Sequence, residues 1–565
     1  MEKTFSKKNI LWVVLIVCLT TVPFLNKPYH IDDIFVIHVS KLVLEHPLDP
    51  FYGEFDWFGY LQPVWEATTN PPFVSYFLAP FAAVSDYSEI VLHIGMMVFY
   101  FLMAAGTVFL ASRFCRQIVL PLCFVMLSPA VMVSGNVMRD VPAAALGTAG
   151  LALFIYGTDR DNWRYLFAGA LLAGLAVMSK YSSIIYLPVL MLYPFFRRKY
   201  LYMLWVWPIA AVLALWMLHN QIMYDSIHII FLTEERRNEH GFNRMEFIAG
   251  AFVIISSILF LLPALLWNAV ARKRWVSFAL GILAGIIAWF STQMYLEWRG
   301  DFQYMFWAVL GAMTLYYCLE EGLRRGLPWL KDRLNEDAAD SLFLFAALCA
   351  PVLFSLILVP FQATRHFITA VPLFVVLAFR AIEYVQIPKP GITNGILVTL
   401  VILQGLMSFL VQAADYEYAN IYRTYARQAE EKYTSPDYTT WFVGHWGWKF
   451  YAERAGFRMR HSGEEEFPQP GDIIIRPVFV ALHDHFREVP GYFDNYCEVL
   501  EEEVYPGNLP LRTMNFRGAS FYAVTSSMLN IPYRFFHDYP LDTFMVYRVT
   551  KAVQPEDIVT ENLPE

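Results

Sequence analysis

An α-helical polytopic membrane domain followed by a small C-terminal α/β soluble domain is the architecture this sequence predicts, and three observations predict it. Hydrophobic residues fill 57% of the 565 positions against 16% charged, and they fall into apolar runs separated by short polar connections. Every second connection is basic. After residue 414 the hydrophobic rhythm stops.

Runs suited to crossing the hydrocarbon core, which takes about 17–25 residues, centre near 10–26, 88–110, 118–135, 141–157, 165–179, 183–196, 201–219, 247–270, 276–295, 302–319, 341–360, 367–384 and 392–414, or about thirteen spans. The basic connections hold Lys3, Lys7 and Lys8; Arg113 and Arg116; Arg160 and Arg164; Arg197, Arg198 and Lys199; Arg272, Lys273 and Arg274; Arg324, Arg325, Lys331 and Arg333; and Lys389. The positive-inside rule makes these cytoplasmic, and an odd number of spans then puts the C-terminus outside. The first run lacks a small-residue cleavage site after Pro23, so it reads as a retained anchor. Because the basic residues are segregated by topology, the net charge of -8 says little about partners, and no nucleic acid is expected. The six cysteines are scattered and include no CxxC or Cys/His metal spacing, so neither a disulfide framework nor a metal centre is implied.

Two regions lie outside this rhythm. Residues 27–87 form a polar first outer loop, opened by Asp32-Asp33 and punctuated by Asn70-Pro71-Pro72. Within it Ile34, Phe35, Ile37, His38, Leu42 and Val43 predict an amphipathic helix lying along the membrane surface, and 73–84 a second, interfacial or re-entrant one. Residues 415–565 are long enough for their own core. They predict a Tyr-rich helix over 415–433, strands at Thr439–Val443, Asp472–Arg476 and Thr543–Val549, and a helix reaching Arg454. Gly444-His445-Trp446-Gly447-Trp448 offers either aromatic faces for a sugar or a turn whose tryptophans are core, and the core reading is favoured. There is no internal repeat or low-complexity segment.

The charged residues that defy the positive-inside bias collect at the outer ends of spans. They are Asp32 and Asp33, Arg139-Asp140, Lys180, Glu297, Arg299 and Asp301, and Arg365-His366, with Glu234, Glu235, Arg236, Arg237, His240 and Arg244 in one outer loop. A carboxylate at mid-bilayer costs roughly 2.5–3.5 kcal/mol on insertion scales, so acids near lipid are functional candidates. Local pairing explains Glu297, Arg299 and Asp301 well, and Arg139 beside Asp140 is equally open to self-satisfaction or function. Lys180 reads more readily as a snorkelling anchor, whereas Asp32 has only another acid beside it. Carboxylates and a guanidinium at an outer face suit transfer from a lipid phosphate: the acid takes a proton from the acceptor while the cation stabilises the departing phosphate.

An acidic pair after the first span, Pro71-Pro72, Asp140-Val141-Pro142, Ser179-Lys180-Tyr181 and Arg365-His366-Phe367 with Pro372 occur in an order that resembles the GT-C glycosyltransferases over residues 8–414. The branch it resembles most contains the protein O-mannosyltransferases and the aminoarabinose transferase of lipid A modification. The resemblance implies a GT-C type fold and inverting transfer of a sugar from a polyprenyl-phosphate donor on the non-cytoplasmic face, without a required cofactor. It implies Asp32 as base, with Asp33 the adjacent candidate, Asp140 orienting the acceptor, and Arg365, Lys180 or Arg237 at the donor phosphate. Asn70 stands where the family often has a basic residue; it, His366 and His240 are candidate substrate contacts. Metal dependence, the sugar and the acceptor, whether glycolipid, polysaccharide or protein, stay open. The absence of any Asn-x-Ser/Thr sequon favours a prokaryotic plasma membrane. The rival classes are a transporter or lipid flippase, which predicts charges at the bilayer midplane, and a membrane receptor, which needs far fewer spans.

Overall fold

The protein is described here by a computed structural model, which covers residues 6–239, 244–271, 275–293, 302–359, 362–383, 390–481, 484–515, 519–522, 531–535 and 539–559. Each predicted apolar run carries helix, but the runs differ in kind. Among the described residues seven helices are long and apolar enough to cross a membrane: Lys7–Phe24, Glu89–Phe114, Asp140–Arg160, Tyr200–Tyr224, Phe302–Leu330, Glu336–Ile357 and Gly391–Tyr433. The continuous span expected over 247–270 is instead a pair, Phe247–Ile258 and Leu262–Val270, bent by 93°. Pro263 explains the break, since proline has no N–H to donate and its ring clashes with the carbonyl four residues back. The span expected over 118–135 is likewise two short helices, Val119–Met126 and Pro129–Val133, the second restarted by its proline. Trp163–Ser179, Tyr181–Phe196 and Trp275–Phe290 are apolar but shorter than a full span.

The tightest helix pair explains how charges far apart in sequence meet. Asp140–Arg160 and Trp163–Ser179 are joined by only Asp161 and Asn162 and fold back as an antiparallel hairpin. A Cβ on Gly150 would stand 2.6 Å from the Gly169 carbonyl oxygen, and one on Gly169 would stand 2.6 Å from that of Gly150. Glycine at both positions lets the two backbones touch, as small residues do between membrane helices. The start of the first helix therefore lies beside the end of the second, which brings Asp140 to Lys180.

The first outer loop is built, not draped. Its helix Asp33–Glu45 buries Asp33 and the consecutive run Ile34, Phe35, Val36 and Ile37, so the expected surface helix is corrected to a packed one. Four buried residues in succession cover a whole turn, so the first half of the helix is enclosed, while Leu44 and Glu45 at its end are exposed. This helix packs on Phe73–Ser85 and on Trp446–Arg454 of the C-terminal region.

The C-terminal region begins inside a helix. Pro390–Tyr433 runs unbroken through 44 residues, so the boundary expected at 414/415 falls within it. Beyond lies a five-stranded mixed sheet in the order Arg458–Met459, Thr440–Phe442, Ile473–Pro477, Asp542–Val549, Cys497–Tyr505, parallel across the first three strands and antiparallel across the rest. The edge strand Cys497–Tyr505 escaped the sequence reading because Glu498 and Glu501 to Glu503 make it polar, a common protection of an exposed edge. Trp448 is fully buried and donates its indole N–H to the Val443 carbonyl at 3.0 Å, so the Gly-His-Trp-Gly-Trp segment is a core turn. Gly447 in that turn has no room for a Cβ, which would meet the Tyr29 carbonyl oxygen of the first loop.

Candidate active site

The chain enters the site through a strained turn. Ile31 has φ of +48°, a conformation that costs a β-branched residue about 1–3 kcal/mol and that clusters at functional sites. The turn sends the two adjacent acids apart. Asp33 is fully buried and accepts a hydrogen bond from the His30 N–H at 2.8 Å, while its other oxygen has no partner. Burial pushes its carboxyl well above the ordinary range. Asp32 instead lines a cavity of about 620 Å³.

That cavity gathers Asp32, Asn70, Arg139, Asp140, Lys180, Arg365 and His366 from five separate stretches of chain. The Arg365 Nη1 donates to Asp32 Oδ2 at 2.5 Å, and the Asp32 side chain stays 34% exposed. Lys180 Nζ donates to Asp140 Oδ1 at 2.5 Å. Two acid–base pairs thus sit in one chamber. Asn70 accepts from the Tyr181 N–H at 3.3 Å, which ties the first loop to the residue after Lys180. Phe354, Ile357, Leu358, Ile229 and Leu232 give the cavity an apolar wall.

Arg139 differs from its neighbours. The residue is 9% exposed, and its guanidinium lies 5.4 Å from the centre of the Phe35 ring. The guanidinium makes no hydrogen bond or ion pair among the described residues, and its Nε and Nη2 are buried without partners. Burial pulls it down to about 10, so it stays cationic at neutral pH.

Of the residues expected at the site, Asp32, Asp140, Arg365, Lys180, Asn70 and His366 share the cavity, and Asp33 does not line it. Arg237 lies on the helix His228–Glu239 with its side chain outside the described residues, and His240 is outside them altogether. Among the described residues no three His, Cys, Asp or Glu side chains are grouped to hold a metal ion.

Behind the cavity stand residues that no sequence motif singled out. Tyr522 stands with its ring 5.9 Å from the Arg365 guanidinium carbon, and the Phe521 carbonyl accepts from the Thr364 N–H at 3.2 Å. The Tyr522 hydroxyl donates to Asp415 at 2.7 Å and accepts from the Asn136 amide at 2.7 Å. Asp415 in turn takes Lys27 at 2.5 Å and the Thr513 hydroxyl at 2.9 Å, all of it buried. Only Lys27 and Asp415, charges beside apolar runs, left a trace in the sequence.

Residues 69–224 match the family profile of the dolichyl-phosphate-mannose-protein mannosyltransferases. This match agrees with the likeness to GT-C glycosyltransferases read from the ordered motifs over the part of the chain that holds Asn70, Asp140 and Lys180, and Asp32, Asp33 and Arg365 lie outside it. No curated protein matches the chain. Among solved structures the chain is similar to the apo oligosaccharyltransferase of Archaeoglobus fulgidus at 11% identity and a TM-score of 0.45, covering 81% of this chain and 65% of that one. It is similar to ArnT of Cupriavidus metallidurans bound to undecaprenyl phosphate at 13% identity and a TM-score of 0.41, covering 87% and 96%. The chain thus spans just under two thirds of the length of the archaeal enzyme.

Proposed function

We propose that this integral membrane protein is a glycosyltransferase that moves one sugar from a polyprenyl-phosphate donor to an acceptor on the non-cytoplasmic face, by inversion. The observation that carries the reading is the pairing of Asp32 with Arg365 in a chamber that also holds Asp140 with Lys180 and an apolar wall. A charged end suits the phosphate and the apolar side suits a polyprenyl chain. The family match over 69–224 supports the same donor class, since its members are named for dolichyl-phosphate mannose.

The chemistry follows from the pairings. Asp32 takes the proton of the acceptor hydroxyl or amine as that atom bonds to the anomeric carbon. The bond from this carbon to the phosphate oxygen breaks, and its electron pair stays on the phosphate. The sugar donor carries one negative charge on its phosphodiester, and the departing monoester carries a second. Protonation of Asp32 neutralises the carboxylate that had held Arg365, so the guanidinium is released to the new phosphate charge at the moment it forms. Proton transfer and leaving-group stabilisation are thereby coupled through one ion pair. Lys180 holds Asp140, which orients the acceptor. The cations of the cavity supply the charge this step needs, so no cofactor is required. A prokaryotic plasma membrane is the setting this reading favours.

Asp32→Asn tests it. The amide keeps the shape and a hydrogen-bonding group but cannot take a proton at neutral pH. Single-turnover transfer by the purified variant should fall by a factor of about 10²–10⁴ while donor binding persists. Turnover above about a tenth of wild type would move the base elsewhere.

A further inference from the structure

We propose that Arg139 is the residue that binds the resting negative charge of the donor phosphate, an assignment that rests on the glycosyltransferase reading above. The other two cations of the cavity are already engaged. Arg365 is held by Asp32 and Lys180 by Asp140, each at 2.5 Å. Arg139 is as buried as Arg365, yet no carboxylate bonds to it among the described residues and two of its nitrogens are without partners. A buried guanidinium in that state is costly unless something else completes it, and a ligand phosphate would do so.

Geometry and charge agree with that assignment. The Phe35 ring beside Arg139 covers part of the guanidinium, and the donors of a guanidinium lie in its plane, where they form the two-pronged contact that phosphate oxygens accept. Asp32 and Asp140 offset two of the three cations Arg139, Lys180 and Arg365, which leaves the described lining one positive charge in excess. A sugar joined through a single phosphodiester brings one negative charge. Arg139 therefore takes the charge the donor has on arrival, and Arg365 the charge it acquires as the sugar leaves.

Binding of undecaprenyl phosphate and of the neutral alcohol undecaprenol to the full chain in nanodiscs separates the possibilities. Wild type should prefer the phosphate, and Arg139→Gln should lose about 10- to 100-fold of that affinity while binding the alcohol unchanged, the range set by one or two charged hydrogen bonds. With no ligand, Arg139→Gln should melt no lower than wild type, because the substitution removes an unpaired buried charge rather than a bond. Unaltered phosphate affinity in Arg139→Gln overturns the assignment and leaves the glycosyltransferase reading standing. If wild type itself shows no preference for phosphate over alcohol, the reading beneath it falls. Should Arg139→Gln fail to fold, Arg139→Lys decides. It keeps the charge but not the planar fork, so a reduced phosphate-to-alcohol ratio supports the assignment and an unchanged ratio overturns it.

Discussion

At residue scale the backbone of Ile31 decides what the acidic pair does. Two adjacent acids at a membrane face were visible in the sequence, but which of them meets substrate was not, because a single left-handed residue sets their directions. Asp33 caps the His30 N–H from a fully buried position. Its folded-state carboxyl titrates well above its unfolded value, since burial outweighs the hydrogen bond it accepts. The folded state then holds a proton the unfolded state has lost, so this residue subtracts stability progressively as pH rises above the ordinary carboxylate range. Asp33→Asn keeps the acceptor for His30 and removes the titration. The variant should be at least as stable as wild type, with its advantage in melting temperature larger at pH 8 than at pH 5, and it should retain turnover. An advantage that shrinks as pH rises would reverse the sign and mean the carboxylate is stabilising. Arg139 carries a related lesson. Its sequence neighbour Asp140 made self-pairing a fair expectation, yet Asp140 is bonded by Lys180, 40 positions away.

At the scale of elements, hydrophobic runs located the apolar helices but could not say which were whole. Length and mean hydropathy are blind to a proline at a helix start, so 247–270 read as one span where the chain bends by 93°. The amphipathic pattern of the first loop was also misleading, because the start of its helix, Asp33 to Ile37, is buried on every side in the protein. The hairpin of Asp140–Arg160 and Trp163–Ser179 was legible only as two apolar runs with a short polar connection. That it delivers Asp140 to Lys180 depends on Gly150 and Gly169 meeting without side chains. A larger residue at Gly150 must part the two backbones. Gly150→Leu should cost at least the 1–3 kcal/mol or so typical of overpacking, and it should lower turnover with no change in any cavity side chain. Thermal unfolding and single-turnover transfer would check this together. A variant that loses stability but transfers normally would mean the Asp140–Lys180 contact does not depend on the close approach.

At the scale of the whole molecule, two of the sets of paired ionisable groups lie far apart, and the sequence had already sorted them by loop. One set is the cavity. The other joins Arg113, Asp159, Arg197 and Asp340, with Arg113 bonded to Asp159 at 2.7 Å and Arg197 to Asp340 at 2.6 Å, and it draws its basic residues from the connections read as cytoplasmic. This separation supports placing the cavity and the C-terminal sheet on the opposite side from Lys7. Alkaline phosphatase fused after Glu565 should be active and green fluorescent protein dark there; the reverse pattern would invert the topology. What no sequence pattern revealed is that the C-terminal region is part of the site. Its segment 519–522 braces the turn that carries Arg365, and Tyr522 reaches Asp415 and Lys27 behind it. The two functions of Tyr522 can be separated. Tyr522→Phe keeps the ring near Arg365 but deletes the hydroxyl, leaving Asp415 and Asn136 each one bond short in a buried cluster, at a cost of about 1–3 kcal/mol. It should melt earlier and transfer nearly as wild type. Tyr522→Ala also removes the ring and should lower turnover further, because the Arg365 guanidinium then loses one wall of its setting. Equal turnover in the two variants would confine Tyr522 to holding the C-terminal region in place, whereas a deficit specific to the alanine variant would make that region a working part of the transferase.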